Sequence, residues 1–215
     1  MNAVARMVVL DLRTVAPYRN QALILAAVVI AVLAGNKPVV LLPAIVLLLT
    51  SQLAAYPFVV GDKAGLQTLY AVLPLPRRAV LLGHYAWALS TFVVSAAVGT
   101  ALTLILARTQ SARFDGGTFA AVLTLSWAVF VVNVAVQFPL FIRFGYSRIG
   151  LLVTYLPLAL VMIAVTRLHL SIVSFATIER WLPLFWVAGA ALLAASVAVS
   201  LAPSWIRPRP ELPGE

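Results

Sequence analysis

The chain has 215 residues, of which 63% are hydrophobic and only 10% are charged, and its mean hydropathy is +1.06. A soluble domain is about half apolar and about a quarter charged, so this composition excludes a water-facing surface over most of the molecule and makes lipid the expected solvent. The absence of cysteine excludes disulfides, thiol catalysis and cysteine metal sites, and the net charge of +9 reads as loop anchoring at a membrane surface, with no nucleic-acid partner expected.

Residues 1–19 carry Arg6, Asp11, Arg13 and Arg19 without a long apolar core, so no cleavable signal peptide is expected. Beyond them, six stretches are free of Asp, Glu, Lys and Arg: 20–36, 38–61, 79–107, 116–142, 149–166 and 181–206. A helix needs about 20 residues to cross the hydrocarbon core. Backbone polar groups cannot go unpaired there, so each stretch is a helix or a closed-barrel strand, and continuous apolar runs without alternation reject the barrel. The expected fold is an all-α polytopic membrane protein. Its single transmembrane domain covers residues 1–206, with spans at about 17–36, 38–60, 79–106, 117–142, 149–167 and 181–202. Metal sites are not expected.

Orientation follows from the basic residues. With both ends inside, the inner set is Arg6, Arg13, Arg19, Lys63, Arg77, Arg78, Arg143, Arg148, Arg207 and Arg209; the outer set is Lys37, Arg108, Arg113, Arg167 and Arg180. Ten against five favours an N-in, C-in topology. The short turn around Lys37 makes the first two spans a hairpin, and the partly apolar connection 167–180 is expected to hold interfacial or re-entrant helix. Trp87, Trp127, Trp181, Trp186 and Trp205 fall mostly near segment ends and read as an interfacial belt. The proline-rich tail at 207–215 is expected to be extended, flexible and cytoplasmic. Thirteen of the 15 basic residues are Arg, which fits a GC-rich bacterial genome and the bacterial inner membrane.

The most informative segment lies between the second and third spans. Leu66, Leu69, Tyr70 and Leu73 recur at helical spacing and form one apolar stripe. Asp62 is placed to cap or favourably charge the start of that helix, and Pro74 and Pro76 stop it. Arg77 and Arg78 then hold the next span at the inner surface. A short amphipathic helix at about 65–73 follows, either as an interfacial anchor or as a docking helix for a cytoplasmic partner.

The order Asp62-Lys63, then Leu66-x-x-Leu69-Tyr70-x-x-Leu73-Pro74-x-x-Arg77-Arg78-x-Val80, then Gly83-x-Tyr85, resembles the type-2 ABC exporter permeases of bacteria over about thirty residues. Gly61 stands where such families often carry an acidic residue, and Pro76 where Ser is common. The resemblance implies a permease that pairs with a second permease chain, identical or related, and is served by a separate cytoplasmic ABC ATPase. It implies that the 65–73 segment is a coupling helix: Gly65, Leu66, Leu69, Tyr70 and Leu73 receive the ATPase, and Asp62, Lys63, Arg77 and Arg78 are its rim charges. It also offers a reading of residues 4–15 as an amphipathic elbow helix, a basic lead-in being the alternative. The chain has no phosphate-binding loop of the Gly-x-x-x-x-Gly-Lys-Ser/Thr kind, so no enzymatic activity and no cofactor are expected in it, and ATP and Mg belong to the partner.

Polar residues inside the spans are read in two ways, as interhelical hydrogen bonds or as a translocation path; Gln52, Asn133, Gln137, Thr154 and Tyr155 are the path candidates. His84 and His169 lack a partner at useful spacing and read as interfacial. Every Asp and Glu lies outside the apolar stretches, so no intramembrane proton relay is expected. The expected function is export of an amphipathic or hydrophobic substrate by alternating access, driven by ATP hydrolysis in the partner. The alternatives are a lipid-modifying membrane enzyme using Asp62, His84 and Arg77, and a non-transporting assembly subunit; membrane lipids are partners in every case.

Overall fold

The computed structural model describes residues 3–16, 20, 24, 27, 42, 45–46, 49–50, 53–63, 76–110, 116–150 and 175–202. Five helices lie within them: α1 (Ala3–Val15), α2 (Tyr56–Lys63), α3 (Arg77–Thr109), α4 (Gly116–Phe144) and α5 (Phe175–Leu201). Residues 146–150 open a further helix, and there is no strand among the described residues. Three helices are long and apolar enough to cross a membrane: Arg78–Thr109, Gly116–Phe144 and Arg180–Leu201. The chain is therefore an all-α polytopic membrane protein. The stretches expected at 17–36 and 149–167, the 65–73 helix and the tail lie largely or wholly outside the described residues.

Each long helix starts and stops for a local reason. Pro76 sits at φ −64°, ψ 134°, and α3 begins at the next residue; proline pre-sets its own φ and has no N–H to leave unpaired. The 33 residues of α3 rise about 50 Å, longer than the roughly 30 Å hydrocarbon core, so its ends reach past the acyl chains. α4 ends at Gly145, whose φ of 78° turns the chain in a way a side chain resists. The Gly145 N–H closes the last turn on the Phe141 carbonyl at 2.9 Å.

α4 is the central post. Phe130 and Phe138 are fully buried on it. Phe130 stacks on Phe92 of α3 at 4.7 Å, and Trp127 stacks on Trp186 of α5 at 4.9 Å and 12°. α5 turns a single stripe inward (Gly189, Leu193, Ser196, Ser200) and leaves the rest of its outer half exposed. Gly189 carries no side chain because a Cβ there would collide with the Trp127 indole. α1 lies against the start of α3, where Met7 fills the space that a side chain at Gly83 would need. The apolar face of α3 formed by Leu89, Val93, Val94, Val98 and Ile105 is exposed; in a bilayer such a face needs no protein cover.

Pro57, Pro139 and Pro183 lie inside described helices, and the interruptions at the first two are repaired by a neighbour. A proline inside a helix removes its own N–H and frees the carbonyl four residues earlier. The expected 38–60 span is broken in this way at the Ala54–Ala55 turn, just before Pro57. The freed carbonyl is that of Leu53, and it accepts from the Trp87 indole N–H of α3 at 3.0 Å. In α4, Pro139 frees the Ala135 carbonyl, which accepts from the Ser196 hydroxyl of α5 at 3.3 Å. Such cross-helix repair is what makes proline tolerable where no water is available. Trp87 is thus a buried donor, a role that its position in the sequence did not show. Ser90, Thr91 and Ser95 bond back to carbonyls of α3 itself.

The repair predicts a background-dependent mutation. Trp87→Phe keeps most of the ring volume and removes the donor, so thermal unfolding in detergent should show a loss of about 1 kcal/mol. In a Pro57→Ala background the helix ladder can reclaim the Leu53 carbonyl, and the same change should cost much less. Equal losses in the two backgrounds would contradict this role for Trp87.

Candidate functional site

The expected rim charges fall at the two edges of the 64–75 segment. Asp62 and Lys63 end α2, Asp62 half-buried and Lys63 exposed; Arg77 opens α3, with Arg78 exposed beside it. Gly65, Leu66, Leu69, Tyr70 and Leu73 lie outside the described residues, as do Gln52, Thr154 and Tyr155. Asn133 and Gln137 share one face of α4 at i, i+4 and are buried in the bundle at 2% and 0% exposure. Asn133 Oδ1 has no hydrogen-bond partner among the described residues.

Asp62 has a contact that its position in the sequence does not advertise. Its Oδ2 accepts from the backbone N–H of Ser147 at 2.8 Å, in the first turn of the helix that opens at Tyr146. The carboxylate therefore caps a helix 85 residues further along, while the 65–73 segment for which it was also read lies outside the described residues. Gly145 makes room for it: a Cβ there would stand 3.1 Å from Asp62 Oδ2. Tyr146 packs on Phe141 at 5.3 Å, so the turn is held from the α4 side as well. Between the two segments lies a cleft of about 300 Å³ lined by Asp62, Lys63, Tyr146 and Ser147. Lys63, Arg143 and Arg148 are exposed around it, and the Arg143 guanidinium lies over the Phe144 ring at 5.6 Å.

α2 is seated by one aromatic side chain. Phe58 meets His84 of α3 at 4.9 Å and Phe138 and Phe141 of α4 at 5.0 Å and 5.5 Å. Beyond it lies a pair that sequence reasoning missed. His84 Nδ1 donates to Asp11 Oδ2 at 3.0 Å, with Asp11 1% and His84 6% exposed. His84 has a partner that sequence spacing did not show, and Asp11, which interrupts the apolar side of α1, is a polar tie between α1 and α3. Asp11 Oδ1 has no partner among the described residues, where the imidazole is the donor that the carboxylate has. The only sequence signal was an acidic residue on an otherwise apolar and basic helix.

A third polar group links the long helices. The Tyr85 hydroxyl lies 2.8 Å from both Ser196 and Ser200. Ser196 has one proton and directs it at the Ala135 carbonyl. Tyr85 then donates to Ser196 and accepts from Ser200, and the chain of hydroxyls has a single direction. Nothing in these groups supplies a nucleophile with an adjacent base. Asp62 is engaged as a helix cap and His84 by Asp11, so the groups considered for lipid chemistry have separate partners.

A family model described as ABC-2 family transporter protein matches residues 6–205. No curated protein and no solved structure matches the chain.

The Asp11–His84 pair sets a stability test. His84→Leu leaves a buried carboxylate without its donor, a change that typically costs about 3 kcal/mol. Asp11→Asn keeps an acceptor oxygen for Nδ1 and should cost about 1 kcal/mol. Thermal unfolding followed by tryptophan fluorescence in detergent measures both, and equal effects would contradict a dependence of Asp11 on His84.

Proposed function

This chain belongs to the ABC-2 family of transporter proteins, matched over nearly its whole length at residues 6–205, and from that premise we propose that it is the six-span permease half of an exporter driven by ATP hydrolysis in a second polypeptide. Family membership makes it a multi-pass membrane permease of an ABC transporter, a transport subunit that works with an ABC ATPase. The finer reading adds N-in, C-in topology, the bacterial inner membrane and a second permease chain as partner. It makes the substrate amphipathic or hydrophobic and moves it outward by alternating access. ATP and Mg are held by the partner ATPase.

One observation carries the coupling assignment: the 64–75 segment is bounded on both sides by placed, charged helix ends. Asp62 and Lys63 lead into it, and Arg77 and Arg78 lead out. Gly65, Leu66, Leu69, Tyr70 and Leu73 then form the apolar stripe that seats in the ATPase. Asn133 and Gln137 are the path candidates inside the bundle, with Gln52, Thr154 and Tyr155 assigned to the same path. In the placed structure the two amides are closed off from the outer faces of the helices, as suits a path that opens only during the cycle.

Inverted vesicles containing this permease and its ATPase test the reading. With a panel of fluorescent amphipathic compounds, uptake should persist when an ionophore collapses the proton gradient. It should stop when the ATPase site is disabled. Uptake that the ionophore abolishes, and that survives loss of ATP hydrolysis, would reject it.

A further inference from the structure

We propose that Asp62 is a positioning residue that fastens the coupling segment to the helix beginning at Tyr146, so that movement imposed on residues 64–75 is delivered to the predicted fifth span. This rests on the coupling assignment above but names a different role for Asp62: it acts through the cap and not through its charge toward the ATPase.

The local geometry is that of a lever. α2 has only eight residues. At its root the chain is broken at the Ala54–Ala55 turn, where Pro57 denies the ladder a bond. In its middle Phe58 rests on His84, Phe138 and Phe141, so α2 bears against the ends of both α3 and α4. At its tip, one residue before the segment that receives the ATPase, Asp62 holds the Ser147 N–H at 2.8 Å. The first N–H groups of a helix have no partner within it, and a carboxylate or amide oxygen is the best group to supply one. A force on α2 therefore reaches the 146–150 helix through the short Asp62 side chain and a bond to that helix's backbone.

Gly145 shows that this contact is built. Its φ of 78° is a conformation that glycine adopts without strain. A Cβ there would also press on Asp62 Oδ2 at 3.1 Å. On the far side, Tyr146 fills the space over Gly150 that a Cβ would need, which fixes the first turn of the helix as one piece. The same turn is held to α4 by the bond from Gly145 to Phe141, by the contact of Tyr146 on that ring and by Ile149, which packs into the same cluster. The fifth span thus has a separate handle on each side, and Asp62 is the one that belongs to the coupling segment.

The test uses the permease–ATPase complex in nanodiscs and exploits the absence of cysteine. Thr154→Cys places a thiol in the predicted fifth span, and its maleimide labelling rate is read with and without ATP and vanadate. Copurification and ATPase activity of the partner are measured on the same samples. Asp62→Ala is read on complexes that retain the ATPase. It should shrink the ATP-dependent change in labelling roughly fivefold, the factor that a lost cap represents in a two-state equilibrium. Asp62→Asn keeps the acceptor oxygen without the charge and should restore the change to within about twofold of the parent. Gly145→Ala should reproduce the loss and should not add to it in the double variant. The inference is overturned if Asp62→Ala keeps the full change, if Asp62→Asn fails as Asp62→Ala does, or if ATP leaves Thr154→Cys labelling unaltered in the parent complex. Failure of the ATPase to copurify with the parent permease would instead overturn the coupling assignment, and this inference with it.

Discussion

A carbonyl oxygen inside a bilayer has no water to turn to, and that constraint decides how this chain is put together. Two prolines each leave such an oxygen exposed to lipid or to protein. Leu53 finds the indole of Trp87, and Ala135 finds the hydroxyl of Ser196. Neither donor comes from the helix that needs it. The broken root of α2 is therefore tied to α3, and the broken middle of α4 is tied to α5. Helix pairs that share only apolar contacts in lipid gain little from the hydrophobic effect, so these polar ties carry a specificity that packing of Leu and Val alone would not.

From those ties a division of labour follows. α4 is wrapped on two sides by aromatic contacts to α3 and α5 and shows little of itself to the surroundings. The hydroxyl chain from Ser200 through Tyr85 to Ser196 and the Ala135 carbonyl closes all three long helices into one body. α1 is fastened to the same body through Met7 over Gly83 and Asp11 on His84. α2 is different. It is short, it follows a break, and the Asp62 carboxylate at its tip accepts from the Ser147 backbone N–H. A rigid post with a small, separately hinged piece beside it suits a permease that takes its mechanical input from another protein. Under the functional reading proposed above, that piece is where the ATPase pushes.

Much of this was legible in advance because bilayer physics acts on composition. Charge-free runs of the right length mark spans without any knowledge of partners, and α3, α4 and the later part of α5 lie along three of those runs. What sequence spacing cannot show is a contact between residues far apart along the chain. Asp11 and His84 are separated by 73 positions, and Asp62 and Ser147 by 85. Local rules pointed Asp62 at the helix expected after it, because a carboxylate just before an apolar stripe is a familiar cap, and they gave no sign that it also caps a helix in another part of the chain. The partner of Trp87 was hidden for a related reason. An aromatic near a segment end is usually interfacial, and only the proline four residues beyond Leu53, on a different helix, makes it a donor. Gly145 carried a readable signal, a glycine directly after a long apolar helix, but not the reason that it also has to clear a path for Asp62.

The most direct measurement is of two distances during the ATPase cycle. The exposed positions Lys63 and Arg148 flank the clasp, and exposed Arg108 lies at the far end of α3. Spin labels on Lys63→Cys with Arg148→Cys, and on Lys63→Cys with Arg108→Cys, can be read by pulsed electron resonance in the permease–ATPase complex. If α2 and the 146–150 helix move as one piece against a rigid post, ATP with vanadate should leave the 63–148 distance unchanged and shift the 63–108 distance. A 63–148 distance that changes while the 63–108 distance stays fixed would contradict the account.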